Sequence, residues 1–208
     1  VLANCEDENT MQALEGKENV LTFGLEKGDF HGENLTWDRG LPTFDVVWNG
    51  KQAAHITLQV PGLHNVKNAL AATAAAICLG VRPNAVKYGL AGFNGAGRRF
   101  EFKGKYNGAD VYDDYAHHPG ELKALLDTVE GLNYKRCILV FQPHTYTRTA
   151  ALFEDFVTQL KRPDVLLLAE IFAAREKNTI GISSAALAER VEGAEFYPTF
   201  PELEEELK

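Results

Sequence analysis

Cysteine is scarce in this 208-residue chain: Cys5, Cys78 and Cys137 stand far apart, with no Cys-x-x-Cys among them. An odd set of distant thiols argues against a disulfide framework or a zinc site, and for a reducing cytoplasm. Cys78 and Cys137 fall in apolar runs, where buried thiols are expected. Long apolar runs are lacking too. None approaches the ~20 residues needed to span a bilayer, and none at the start has the form of a signal peptide, so no membrane insertion is expected. The chain opens on Val1 without Met, so processing or excision from something longer is expected. Positive charge is also short. Lys and Arg number 21 against 29 Asp and Glu, a formal net charge of -8. A general nucleic-acid surface is usually basic, so no nucleic-acid partner is expected. An anionic ligand would need local cations, for which Arg98, Arg99 and Arg148 are candidates.

The usual triphosphate cradle is absent as well. It is a Gly-rich loop ending in Lys-Ser/Thr at a helix start. No stretch of this chain has that form, and Gly95-Ala-Gly97-Arg98-Arg99 precedes a strand-like run rather than a helix, so it is no dinucleotide fingerprint. There is no internal repeat and no low-complexity tract. The Glu-rich tail from Glu202 to Glu206 is expected to be a solvated helix face.

The apolar fraction, 45%, is enough for a real core. Residues 1 to about 60 have the pattern of strands and turns, with strands expected at 20–23, 44–48 and 54–60. Trp48-Asn-Gly-Lys51 is a hairpin signal. An Ala-rich helix is expected over 66–79, ended by Gly80, and a short one over 83–88. The Gly-rich stretch 92–97 is the expected domain boundary. Beyond it strands alternate with helices: strands at 99–105, 109–112, 137–141, 165–171 and 195–197, and helices at 120–129, 150–160, 184–191 and 201–207. That alternation predicts an α/β fold built on an open, mainly parallel sheet flanked by helices.

Two segments carry chemistry. In Asp110-Val-Tyr-Asp-Asp-Tyr-Ala-His-His-Pro-Gly-Glu121 an apolar-aromatic run ends in two carboxylates and two imidazoles, and Pro119 opens a helix. Asp113, Asp114, Tyr115, His117 and His118 thus sit on a strand-to-helix turn, where open α/β sheets place ligands. Cys137-Ile-Leu-Val-Phe141 has the continuous apolar pattern of a strand buried on both faces. It runs into Gln142-Pro-His-Thr-Tyr-Thr-Arg-Thr149 and then an amphipathic helix. Right-handed crossovers between parallel strands would put both turns at one edge of the sheet. The blander alternative is an ordinary polar loop with a surface His pair.

Gly62-Leu-His-Asn-Val-Lys-Asn-Ala-Leu-Ala-Ala72, Gly97-Arg-Arg-Phe-Glu101 and Asp113-Asp-Tyr-Ala-His-His-Pro119 come in the order and spacing of the Mur ligases, which build the peptide of bacterial peptidoglycan with ATP. Phe141-Gln-Pro-His-Thr-Tyr-Thr-Arg-Thr149 resembles most the member that adds the first amino acid. The resemblance runs through nearly the whole chain. It implies a Rossmann-like C-terminal domain over 98–208, preceded over 1–97 by the latter part of a P-loop-type central ATPase domain whose P-loop is not in this chain. It implies a ligase that phosphorylates the lactyl carboxylate of UDP-N-acetylmuramate with ATP and then lets the amine of L-alanine displace phosphate from the acyl phosphate. Magnesium is the implied metal, with ligands outside this chain, and the chain by itself is expected to be inactive. A murein tripeptide recycling ligase, or a non-catalytic domain that kept the fold, are the competing readings.

Residue by residue, the resemblance implies that Asn65 and Asn68 contact the ATP base; helix capping by Asn65 is the structural alternative. It implies that Arg99 contacts ATP, against a surface ion pair with Glu101, Asp113 or Asp114, and that Asp114 holds the ribose. Tyr115 and His117 correspond to catalytic and substrate positions, and His144 and Arg148 to a second substrate cluster. His118 is expected to orient the turn. Thr145 stands where many members carry Arg, which lowers the local cation count.

Overall fold

A computed structural model describes residues 1–208, which divide into two compact units, Val1–Gly97 and Arg98–Lys208. No helix is long and apolar enough to cross a membrane.

The first unit is a five-stranded mixed sheet in the order β1-β2-β3-β4-β5, with helices α1 (Glu8–Ala13), α2 (Leu63–Cys78) and α3 (Pro83–Ala91). β1 (Leu2–Asn4), β2 (Leu21–Gly24) and β3 (Phe30–Asp38) pair in parallel. β3, β4 (Leu41–Trp48) and β5 (Lys51–Thr57) pair antiparallel. The Asn49-Gly50 turn joins β4 to β5 with both residues at positive φ (51° and 68°), the type I′ geometry that matches strand twist. Arg39-Gly40 does the same between β3 and β4 (47° and 80°). The core sets Phe30, Phe44, Val46 and Ile56 from the strands against Val66, Ala69, Leu70 and Ala74 from α2. β1, β3 and α1 have no counterpart in the sequence pattern. Residues 30–38 alternate poorly, hold a bulge between Glu33 and Thr36, and carry Asn34 at φ 53°.

The second unit holds a three-stranded parallel sheet, β10-β9-β8: Glu195–Tyr197, Val165–Ala169 and Ile138–Phe141. α4 (Pro119–Gly131), α6 (Phe153–Leu160) and α7 (Ser184–Ala188) supply Leu122, Phe156, Val157, Leu160 and Leu187 to its core, and α8 (Phe200–Glu206) follows β10. β6 (Glu101–Tyr106) and β7 (Ala109–Asp113) differ from expectation. They form a separate antiparallel ribbon and do not join the parallel sheet. The cause is local: Asn107-Gly108, at φ 47° and 85°, makes a third type I′ turn. β8 also departs from burial on both faces, since Ile138 and Val140 are exposed; that property belongs to β9, the central strand. Cys78 is exposed rather than buried and Cys137 is half-buried; all three cysteines are free.

The expected helix over 150–160 is two helices. Leu152, at φ -115° and ψ 25°, ends α5 (Tyr146–Ala151) and opens α6. Tyr146, Thr147, Arg148 and Thr149 are therefore helical rather than loop residues.

Candidate active site

The segment after β7 is built by its own carboxylates. Asp114 Oδ2 accepts from the Phe100 N–H (2.7 Å) and Oδ1 from the Ala116 N–H (2.8 Å), tying the turn to the hinge before β6. Each oxygen keeps a further lone pair for a hydroxyl donor. The Tyr115 N–H donates to the Arg98 carbonyl at 2.8 Å. The Arg98 guanidinium lies 4.7 Å from the Tyr115 ring centroid and pairs with Asp113 at 3.3 Å. Arg99 makes only a long contact, 3.9 Å to Glu121, and stays more than half exposed. Of the two arginines it has the freer guanidinium.

His118 is the N-cap of α4: its Nδ1 accepts from the Gly120 N–H (3.2 Å), while Glu121 Oε2 accepts from the N–H groups of His118 (3.2 Å) and His117 (2.9 Å). Burial pushes the Glu121 carboxyl up. The His117 and His118 N–H groups and the nearby His117 and Arg99 charges outweigh it and hold the carboxyl below its ordinary range. A depressed carboxyl stabilises the fold above its unfolded value, about 4.3, and that stabilisation is lost as pH falls through the folded value. Glu121→Gln keeps the capping acceptor but loses its charge, and should therefore cost up to about 1 kcal/mol near neutrality, read as a lower melting temperature. The gap should narrow as pH falls below the unfolded value, about 4.3, and close once it has passed the lower folded value of Glu121. Melting curves across pH check this, and an equal gap at both ends would rule out the charge as the cause.

His117 Nδ1 lies 2.8 Å from the Tyr115 carbonyl. A carbonyl only accepts, so Nδ1 carries the hydrogen and the neutral ring keeps its lone pair on Nε2. The ring is thus oriented by a backbone group, with Nε2 turned away from that contact.

The second segment reaches His117 from the sheet side. Its chain reverses at Thr145, φ 69° and ψ 143°, a conformation rare for a β-branched residue. The Thr145 N–H donates to the Phe172 carbonyl (2.9 Å), and the Phe172 N–H to the Pro143 carbonyl (2.8 Å). Thr149 Oγ1 donates to the Thr145 carbonyl at 2.7 Å. Glu176, 29 residues away, accepts from the Thr147 N–H at 2.9 Å and the Thr147 hydroxyl at 2.5 Å. Sequence gives no local signal for this clamp, which is why the start of α5 escaped it. Because Gly adopts positive φ freely, Thr145→Gly should relieve strain and stabilise the chain by about 1 kcal/mol. A melting temperature that falls instead would show that the hydroxyl or methyl holds the turn.

The two segments meet. The His117 and His144 ring centroids are 5.7 Å apart. With Tyr115–His117 at 5.1 Å and His144–Phe172 at 5.4 Å, a row runs Arg98, Tyr115, His117, His144, Phe172. Arg148 Nη1 stands 3.5 Å from His144 Nδ1, adding a cation beside the row. The expected route, two turns at one edge of a single parallel sheet, is not the one used: the first turn leaves a hairpin and the second a parallel strand. Phe172 and Glu176 were missed from the sequence; the apolar-acidic stretch around them has no motif of its own.

Asn65 and Asn68 lie on α2 in the first unit. The N-cap of α2 is Gly62, with no side-chain cap bond, so capping by Asn65 does not hold. Asn65 Nδ2 donates instead to the Pro61 carbonyl at 2.7 Å, leaving its Oδ1 as an acceptor. Asn68 is exposed one turn on. No group of three or more His, Cys, Asp or Glu side chains forms a metal site.

Residues 98–208 match the Mur ligase, glutamate ligase domain, and residues 1–76 the Mur ligase middle domain. The UDP-N-acetylmuramate–L-alanine ligase of Clostridium novyi (strain NT) is 44% identical over 192 residues, which is 92% of this chain and 42% of that protein. The chain thus spans well under half the length of that relative. A solved UDP-N-acetylmuramate-alanine ligase from Thermotoga maritima superposes with a TM-score of 0.78 at 30% identity, covering 99% of this chain and 44% of that one. A MurF ligase from Thermotoga maritima, solved in complex with ADP, shares the fold with a TM-score of 0.72 at 16% identity, covering 99% of this chain and 46% of that one.

Proposed function

This chain belongs to the Mur ligase family, and we propose that it serves an ATP-dependent, cytoplasmic ligase that joins L-alanine to the lactyl carboxylate of UDP-N-acetylmuramate. The observation that carries this reading is the meeting of His117 and His144, 5.7 Å apart, with Arg148 beside them: an oriented base next to a cation suited to a carboxylate.

ATP supplies the phosphoryl group that activates the carboxylate. Arg148 and His144 hold the muramyl carboxylate, neutralising its charge so that an amine can approach. His117 Nε2 takes a proton from the ammonium group of L-alanine. The freed amine attacks the acyl carbon, the C–N bond forms, phosphate leaves with the C–O bonding pair, and the surplus proton on nitrogen departs with the phosphate. The Tyr115 ring, held under Arg98, fixes the carbonyl that orients His117. Positioning and charge neutralisation do this work, with no covalent enzyme intermediate.

Residues 98–208 are the ligand-binding C-terminal domain in this reading, and residues 1–97 the latter part of the ATP-binding domain. Asp114 fits a ribose, having a lone pair left on each oxygen, and Arg99 fits a phosphate. Asn65 and Asn68 fit an adenine edge with their amide donors and acceptors. Magnesium belongs to the whole enzyme, and no residue of this chain is assigned to it. The test is phosphate release by the full-length protein with UDP-N-acetylmuramate, ATP and a panel of amino acids and murein tripeptide. L-Alanine should be preferred; preference for the tripeptide would assign the chain to recycling instead.

A further inference from the structure

We propose that Phe172 is a specificity-determining residue of this reaction, its phenyl ring taking the methyl group of the lactyl arm whose carboxylate Arg148 and His144 hold. The inference rests on the ligase reading above. Phe172 is 52% exposed and lies outside the core cluster of its unit, so its ring is not spent on the fold. It is nevertheless fixed. The two backbone hydrogen bonds to Thr145 and Pro143 form a parallel bridge between His144 and Phe172, which directs both side chains to one face. The rings lie 5.4 Å apart, tilted by 41°.

Every other member of the row is polar or charged, so Phe172 supplies its one purely apolar surface. A ligand that fits must carry an anion for Arg148 and a small alkyl group close beside it. The lactyl arm has that form, because its methyl sits on the carbon that bears the carboxylate. Its backbone needs no reordering for the ring to meet that group, since the bridge already holds it.

The experiment uses the full-length ligase as wild type, Phe172→Ala and Phe172→Leu. Each is given UDP-N-acetylmuramate and the analogue in which a carboxymethyl ether replaces the lactyl ether, at saturating ATP and L-alanine. Wild type should favour the lactyl substrate by about three- to fivefold in kcat/KM, the factor for one buried methyl. Phe172→Ala should abolish that preference and Phe172→Leu keep part of it, with the KM for ATP and for L-alanine unmoved. An unchanged methyl preference in Phe172→Ala overturns the inference. So does a shift confined to L-alanine against glycine, which would place the ring at the amino acid. Absence of ligation by wild type removes the functional reading itself and this inference with it. Ligation with an unshifted preference removes this inference alone.

Discussion

His117→Ala in the full-length ligase is expected to lower kcat about 10²- to 10⁴-fold, the contribution of a positioned general base, while the KM for ATP stays within a factor of about two. The reason is the 2.8 Å contact that places the ring hydrogen on Nδ1 and leaves the Nε2 lone pair free for the proposed base role. Replacement by Asn separates the two roles of the ring. An Asn amide can still donate to the Tyr115 carbonyl but cannot take a proton at neutral pH. His117→Asn should therefore fold like wild type and be nearly as slow as His117→Ala. If His117→Asn restores most of the rate, the ring serves the turn and not the chemistry. His117 is about a quarter exposed, so melting temperatures should barely move in either variant.

Arg148→Ala is expected to lower kcat/KM for UDP-N-acetylmuramate about ten- to a hundredfold, the loss of one charged hydrogen bond worth roughly 1.5–3 kcal/mol. ATP should be much less affected. Arg148 stands within 3.5 Å of His144, in a helix whose start is clamped from outside by Glu176. Thr145 offers no second cation there, so Arg148 carries more of the charge complementarity. A structural alternative exists: Arg148 also lies near the Glu176 carboxylate, which the Thr147 hydroxyl and N–H chiefly hold below its ordinary range and to which the Arg148 charge adds. If that is its whole role, the variant melts lower and keeps its kinetics. Steady-state rates on both substrates beside a melting curve separate the two.

The elements that the sequence determined by itself are those with local causes. Asn49-Gly50 set a hairpin, Pro119 opened α4, and the apolar run at 165–171 marked the strand β9, although burial on both faces was expected of β8 instead. The crowding of acids, imidazoles and a phenol into one turn was legible too, but sequence did not show that Asp114, His118 and Glu121 spend part of their hydrogen bonding on building that turn. Asn107-Gly108 shows a local signal outvoted by a global pattern: the alternation of strands and helices suggested a parallel neighbour where a tight turn demanded a ribbon.

Tertiary structure alone decided the rest. The carboxylate of Glu176 begins α5 from 29 residues away, so no window of sequence contains both the helix start and its cause. Phe172 entered the site through backbone hydrogen bonds, which carry no side-chain signature. The distance between His117 and His144 was likewise set by two different supports, a capped helix and a strained turn at Thr145. Sequence named the groups, and only long-range hydrogen bonds and packing could bring them together, because those interactions depend on residues far apart along the chain.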